Sequence, residues 1–290
     1  MILDRVRAML AACEGGRPAF PPGTLFGEAW LTRVVVDWFE RHGGDRYPMS
    51  PAAGARWFSE AWLPSAFLPR YRGDQLGESR THADAAVGHF KIGDPGSSGL
   101  TLAPDARQFI LIEAKLFARL SAGVKNAPGF DQAARTVACM AEVLRRSGRP
   151  PAEMDDLAFL VLAPRARIDD GVFARDTTLE AIRAKGRARV APYQGERDAW
   201  LADWFEPTVD RVEVRSLAWE EVIETIAFHD PVTGQAIDAF YGKCLHFGRP
   251  AQRSAYPGPR AGCNRPWDGR KLEAASPLPP DPRRLEPLPN

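Results

Sequence analysis

Cysteine is scarce in this chain and poorly placed for chemistry. Cys13, Cys139, Cys244 and Cys263 are scattered with no C-x-x-C spacing, which argues against the common zinc modules and against a disulfide framework. A reducing, cytoplasmic compartment is the expectation. Long apolar runs are missing too, and nothing approaches the roughly 18 residues of a membrane span. The stretch MILDRVRAMLAACEGGRP is interrupted by Asp4 and two arginines, so it reads as a short amphipathic helix and not as the apolar region of a leader. Charge of one sign is also lacking: 38 basic against 37 acidic residues leave a net charge of +1. A nucleic-acid partner therefore has to be met by a local patch. There is no Gly-rich phosphate loop, no H-E-x-x-H and no G-x-S-x-G, and GSSG at 96–99 lacks the strand-to-helix setting of a nucleophile elbow. Neither helix-turn-helix nor zinc-finger spacing is seen.

What is present suits one sizeable core, with 290 residues of which 44% are hydrophobic and 26% charged. Residues 1–23 read as a helix and linker. A helix is expected over Leu25–Arg41, capped by Thr24, stopped by Gly43 and Gly44, and striped with Leu31, Val34, Val35 and Trp38. A second helix is expected over Pro51–Leu63. THADAAVGHFKIG and RQFILIEAKLF read as an antiparallel strand pair joined by an insertion around 93–106. LSAGVKNAPG is a loop, and FDQAARTVACMAEVLRRSG a strong helix ending at Gly148. DDLAFLVLAP is a strand covered on both faces. Residues 172–206 look mostly helical, RVEVRSL a short strand and WEEVIETIAF a helix, with a last helix over Gln235–His246. Ten of the 26 prolines fall in residues 249–290, a composition that predicts a disordered tail. Together these give an α/β fold: a mixed central sheet flanked by helices, with helical additions on its C-terminal side.

One strand breaks its own pattern. FILIEAKLF, residues 109–117, is apolar on both faces except for Glu113 and Lys115, which share one face because they are two apart. A buried unpaired charge costs several kcal/mol, and even a buried pair often does no better than two apolar residues. A surface ion pair at a strand end is the plain explanation. The preceding strand, however, carries Asp84 among small residues, and pairing of the two strands brings it towards Glu113. Two carboxylates held together call for a cation. With oxygen donors and no His or Cys partner, Mg²⁺ is the natural choice. Lys115 would then lie beside the water that such an ion retains, a set of parts that suits phosphodiester hydrolysis.

Asp84, then Glu113-Ala114-Lys115 about thirty residues on, then Gln132 in the next helix, resembles the PD-(D/E)XK nuclease superfamily. The match spans residues 24–163 of a domain expected over 24–248, with Ala83 standing where the family name places proline. The resemblance implies a restriction-endonuclease-like core. It implies that Asp84 and Glu113, with the Ala114 backbone carbonyl, ligate Mg²⁺ (Mn²⁺ substituting) and that Lys115 positions the water. It also gives Glu28 in LFGEAWL and Gln132 in FDQAAR supporting places at the metal site. The implied activity is endonucleolytic cleavage of DNA in preference to RNA, with a homodimer or a protein partner supplying specificity. Lys125, Arg119 and Arg135 are candidate phosphate contacts; surface charges of this kind more often are only solvated.

Bland readings stand beside several other residues. Glu28 is favoured near a helix start by the dipole alone, Gln132 suits an exposed position near a helix start, and His82 shares the Asp84 face while His89 points away. Glu78 suits a loop carboxylate or an outer ligand. Cys139 reads as core, Cys244 and His246 as an unconvincing metal pair, and Trp57, Trp62, Trp200 and Trp204 as packing. Two other functions compete: a non-catalytic nucleic-acid-binding or assembly module, and a structural ion pair in a domain that binds an unrelated small molecule.

Overall fold

The computed structural model describes residues 2–42, 47–93 and 99–248. Gly43, Gly44, most of the GSSG segment, Cys263 and the Pro-rich tail lie outside them. From the N-terminus, α1 (Ile2–Glu14) and a 3-10 turn (Pro22–Thr24) lead to α2 (Glu28–His42). Then come β1 (Arg56–Leu63), β2 (Thr81–Gly88), the β3–β4 ribbon (Phe90–Ile92, Leu100–Leu102) and β5 (Gln108–Ala114). A two-residue ribbon, β6–β7 (Gly123–Val124, Ala127–Pro128), precedes α3 (Gln132–Ser147) and β8 (Asp156–Ala163). After these follow α4 (Arg165–Asp169), α5 (Leu179–Val190), α6 (Asp198–Trp200), a π-helical turn (Leu201–Phe205), α7 (Glu206–Arg211), β9 (Glu213–Ala218), α8 (Trp219–His229) and α9 (Pro231–Phe247).

The main sheet has five strands in the order β1-β2-β5-β8-β9. β1, β2 and β5 are antiparallel neighbours, whereas β5–β8 and β8–β9 are parallel. β5 and β8 are almost wholly buried, as their continuous apolar sequences require. Alternation divides their side chains between two layers. Phe109, Leu111, Phe159 and Val161 pack on the α3, α5 and α7 side, and Ile110, Ile112, Leu160 and Leu162 on the α2, α8 and α9 side. A sheet covered on both faces is the arrangement expected from the sequence.

Three local expectations change. Residues 56–63 form the edge strand β1, not a helix, and pair with β2 from Arg56↔Gly88 to Leu63↔Thr81. The aromatic spacing of WFSEAW suits either state, and a partner strand with an open edge decides the outcome. The helix expected from Leu25 begins only at Glu28, because Pro21 and Pro22 set up the 3-10 turn that takes in Thr24; along it Val36 is buried and Val34 is exposed. The charged strand closes at Ala114, three residues short of Phe117, although the Lys115 N–H still bonds Leu162 O at 2.7 Å.

Two glycines do specific work. At Gly88 (φ 146°) an added Cβ would stand 2.2 Å from the Gln108 carbonyl oxygen, so only glycine lets β2 pass that close to β5. Gly148 ends α3 in the left-handed conformation, as its sequence position suggests.

Candidate functional site

The ladder between β2 and β5 runs from Gly88↔Phe109 to Ala85↔Ile112 and ends there. One residue further, Asp84 Oδ2 accepts the Ala114 N–H at 2.7 Å, so a side chain takes the place of the next backbone partner. This arrangement brings the Asp84 carboxyl near enough to Glu113 to act on it electrostatically. On Glu113, Oε1 receives Lys115 Nζ at 2.5 Å and Gln132 Nε2 at 2.5 Å. Gln132 is the first residue of α3, and its own Oε1 accepts the Ser121 N–H at 3.1 Å, which fixes the amide with its nitrogen towards Glu113. From the opposite layer, Glu28 at the start of α2 accepts the Leu116 N–H through Oε2 at 3.0 Å. Five polar side chains from β2, β5, the residues after it, α2 and α3 thus gather at the carboxyl end of β5. All five were named from the sequence.

Burial sets the electrostatics. Glu113 is 3% exposed and Lys115 9%. Burial, and after it repulsion from Asp84, raises the Glu113 carboxyl to about 7, against the pull of Lys115. Glu28 is also raised, chiefly by burial and further by Asp84, with the Leu116 N–H and Lys115 opposing. For Lys115, burial works to lower the ammonium, but Glu113, Asp84 and Glu28 outweigh it and hold it above its ordinary value. The cluster therefore carries more acid than its single lysine balances.

Among the described residues, no three His, Cys, Asp or Glu side chains form a ready-made metal cage. The donor chemistry still fits a hard cation. Asp84 and Glu113 offer only oxygen and repel each other, and Asp84 is held to the main chain at Ala114, a set suited to an ion that keeps several of its waters.

The outlying candidates divide. Arg119 and Lys125 are exposed on the segment linking β5 to α3. Arg135, one turn along α3 from Gln132, is half-buried, with Nη2 3.5 Å from Ser121 Oγ and a buried Nε that has no hydrogen-bond partner. Glu78 is a buried loop carboxylate accepting from Ser65 Oγ at 2.7 Å. His89 is structural: Nε2 lies 3.1 Å from Ala53 O, and Nδ1 accepts the Gln108 N–H at 3.2 Å. Cys139 and Cys244 are fully buried in the core. Trp200 packs as expected, stacked on Phe205, but Trp62 is exposed.

Glu60 is a neighbour of the cluster that residue pattern does not announce. It lies within β1 between Ser59 and Ala61, which pair with Ala85 and Ala83 on either side of Asp84; its Oε2 is 3.2 Å from His82 Nε2, and its backbone φ is 55°. Reading the segment as a helix hid it, and nothing in its residue type points to the sheet.

Compared with protein-family models, with curated proteins and with solved structures, the chain finds no match.

Proposed function

We propose that this protein is a Mg²⁺-dependent nuclease of the PD-(D/E)XK type, with a restriction-endonuclease-like core, that hydrolyses phosphodiester bonds, DNA before RNA. The observation that supports it is the meeting of Asp84, Glu113 and Lys115, residues about thirty positions apart in sequence, at one strand end with Gln132 and Glu28 against them. Asp84 and Glu113 would hold the cation, with the Ala114 carbonyl and Glu28 in support. Bound there, a divalent ion acidifies water and offsets charge developing on the phosphate.

The chain's own groups have separable tasks. Lys115 keeps its proton, since the surrounding carboxylates hold it above its usual value. It therefore acts as a hydrogen-bond donor that orients the attacking oxygen and the phosphate, and not as the base. Gln132 fixes the Glu113 carboxylate from one side. Glu28 ties down the chain after Lys115 through Leu116. Burial around Glu113 keeps bulk water away and strengthens each of these interactions.

Cleavage assays on linear, nicked and single-stranded DNA and on RNA test the proposal directly. Wild-type protein should cleave with Mg²⁺ or Mn²⁺ and stop with EDTA. Asp84→Asn and Lys115→Met should each lose at least about 100-fold in rate, the scale of a positioned catalytic group, with unchanged circular dichroism. Lys115→Met cutting as fast as wild type, or wild type cutting none of the substrates, overturns it. Metal-independent, salt-sensitive binding without cleavage would identify a non-catalytic nucleic-acid module instead.

A further inference from the structure

Beside the candidate site runs a strip of contacts that the cluster does not use. On α2, Trp30 is 41% exposed, and the Arg33 guanidinium lies over its ring at 5.0 Å from the centroid. Arg33 continues to β1, donating from Nε to Ser59 Oγ at 2.8 Å and lying 3.6 Å from Glu60. Glu60 pairs with His82 on β2, and His82 stands in register opposite Trp62. Trp62 is 52% exposed, and the exposed Arg80 lies over its ring at 5.4 Å. The strip thus has an open tryptophan at each end, each backed by a guanidinium. It borders the site through β2, where His82 is two residues, or about 7 Å of strand, from Asp84.

Each tryptophan presents a partly exposed ring with a guanidinium over it, close to a cluster of carboxylates. Every nucleobase offers a flat face, and base–aromatic stacking holds unpaired nucleotides whatever their sequence, with arginine supplying phosphate contact and cation–π support. In a duplex those faces are already stacked within the helix. Resting on the nuclease reading of the adjoining cluster, we propose that the Trp30–Arg33 and Trp62–Arg80 pairs are a stacking platform for unpaired nucleotides. The preferred substrate then is single-stranded, or carries a single-stranded segment next to the bond that is cut. The near-neutral net charge agrees with this, because stacking asks for less of a broad basic surface than duplex binding does.

Fluorescence anisotropy in EDTA, with labelled single-stranded DNA, single-stranded RNA and duplex DNA of one sequence, separates binding from cleavage. Wild-type full-length protein should favour the single strands, and the DNA and RNA arms report which sugar it prefers. Trp62→Ala and Trp30→Ala should each weaken single-strand binding about 5- to 100-fold and leave duplex binding little changed. Trp62→Phe should retain most of the affinity, which a merely structural role for the indole does not require. Wild-type affinity in both alanine variants, or a wild-type preference for duplex, overturns the proposal. So does a change in sedimentation velocity as the sole effect of Trp62→Ala, which would make the strip a contact between copies of the chain. If Lys115-dependent cleavage persists while the tryptophans prove irrelevant, only the platform fails. Tryptophan-dependent binding without cleavage leaves the platform standing and removes the nuclease reading.

Discussion

Glu113 couples the site to the stability of the whole protein. Its folded-state carboxyl titrates near 7 against 4.5 for an unperturbed glutamate, so between those values the folded chain binds more proton than the unfolded one. Stability contributed by the protonated form is complete below about pH 4.5 and is lost as pH rises through about 7. In EDTA, the melting temperature of Glu113→Gln relative to wild type should therefore climb between about pH 5 and about pH 8. Mg²⁺ should raise the wild-type melting temperature at the upper end and leave the variant nearly unmoved. A pH-independent difference between the two would show that Glu113 is ionised throughout. At this scale the gathering of residues was legible, because charges in an apolar strand carry a cost and call for polar partners. The details that depend on distant chain were not. Neither the capture of the Ala114 N–H by Asp84 nor the hold of Glu28 on Leu116 follows from residue type.

Among the elements, α3 has the firmest attachment to the site. Asp131 caps it by accepting the Ala134 N–H at 3.0 Å, and the same carboxylate receives Lys185 from α5. Gln132 is the next residue, so the cap also sets where its amide emerges. Asp131→Ala should destabilise the protein by roughly 1–2 kcal/mol in urea unfolding and lower any cleavage rate through Gln132. Asp131→Asn keeps the cap and should recover most of the stability. Of the helices, α3 was read well from the sequence, with Gly148 marking its end, whereas its Asp131 cap emerges only from the structure. β1 was misread because RWFSEAWL has the composition of either state and its conformation is settled by β2, a non-local partner. β5 and β8 were plain from the apolar runs 109–112 and 157–163, although their parallel pairing is a matter of connection and not of residue pattern.

At the scale of the molecule, the sheet is a graded structure. β5 has strands on both sides and helices on both faces, whereas β1 and β9 each have one neighbour. Native-state hydrogen exchange should find the amides of Ile110, Leu111, Ile112 and Leu160 among the slowest, and those of β1 opening well below the global unfolding free energy. Equal protection across β1 and β5 would contradict this order. The candidate site stands where the gradient is steep, with Glu113 on β5, which has a strand on each side, and Trp62 on the edge strand β1.

The bent residue at the middle of β1 acts on that outer edge. An open edge strand offers its backbone to any extended chain that drifts against it, and a flat, apolar one invites self-association. Glu60 breaks the flatness with its positive φ, and its carboxylate turns inward to Arg33 on α2 and His82 on β2. The strand that carries exposed Trp62 is therefore a poorer template for self-association than a flat edge.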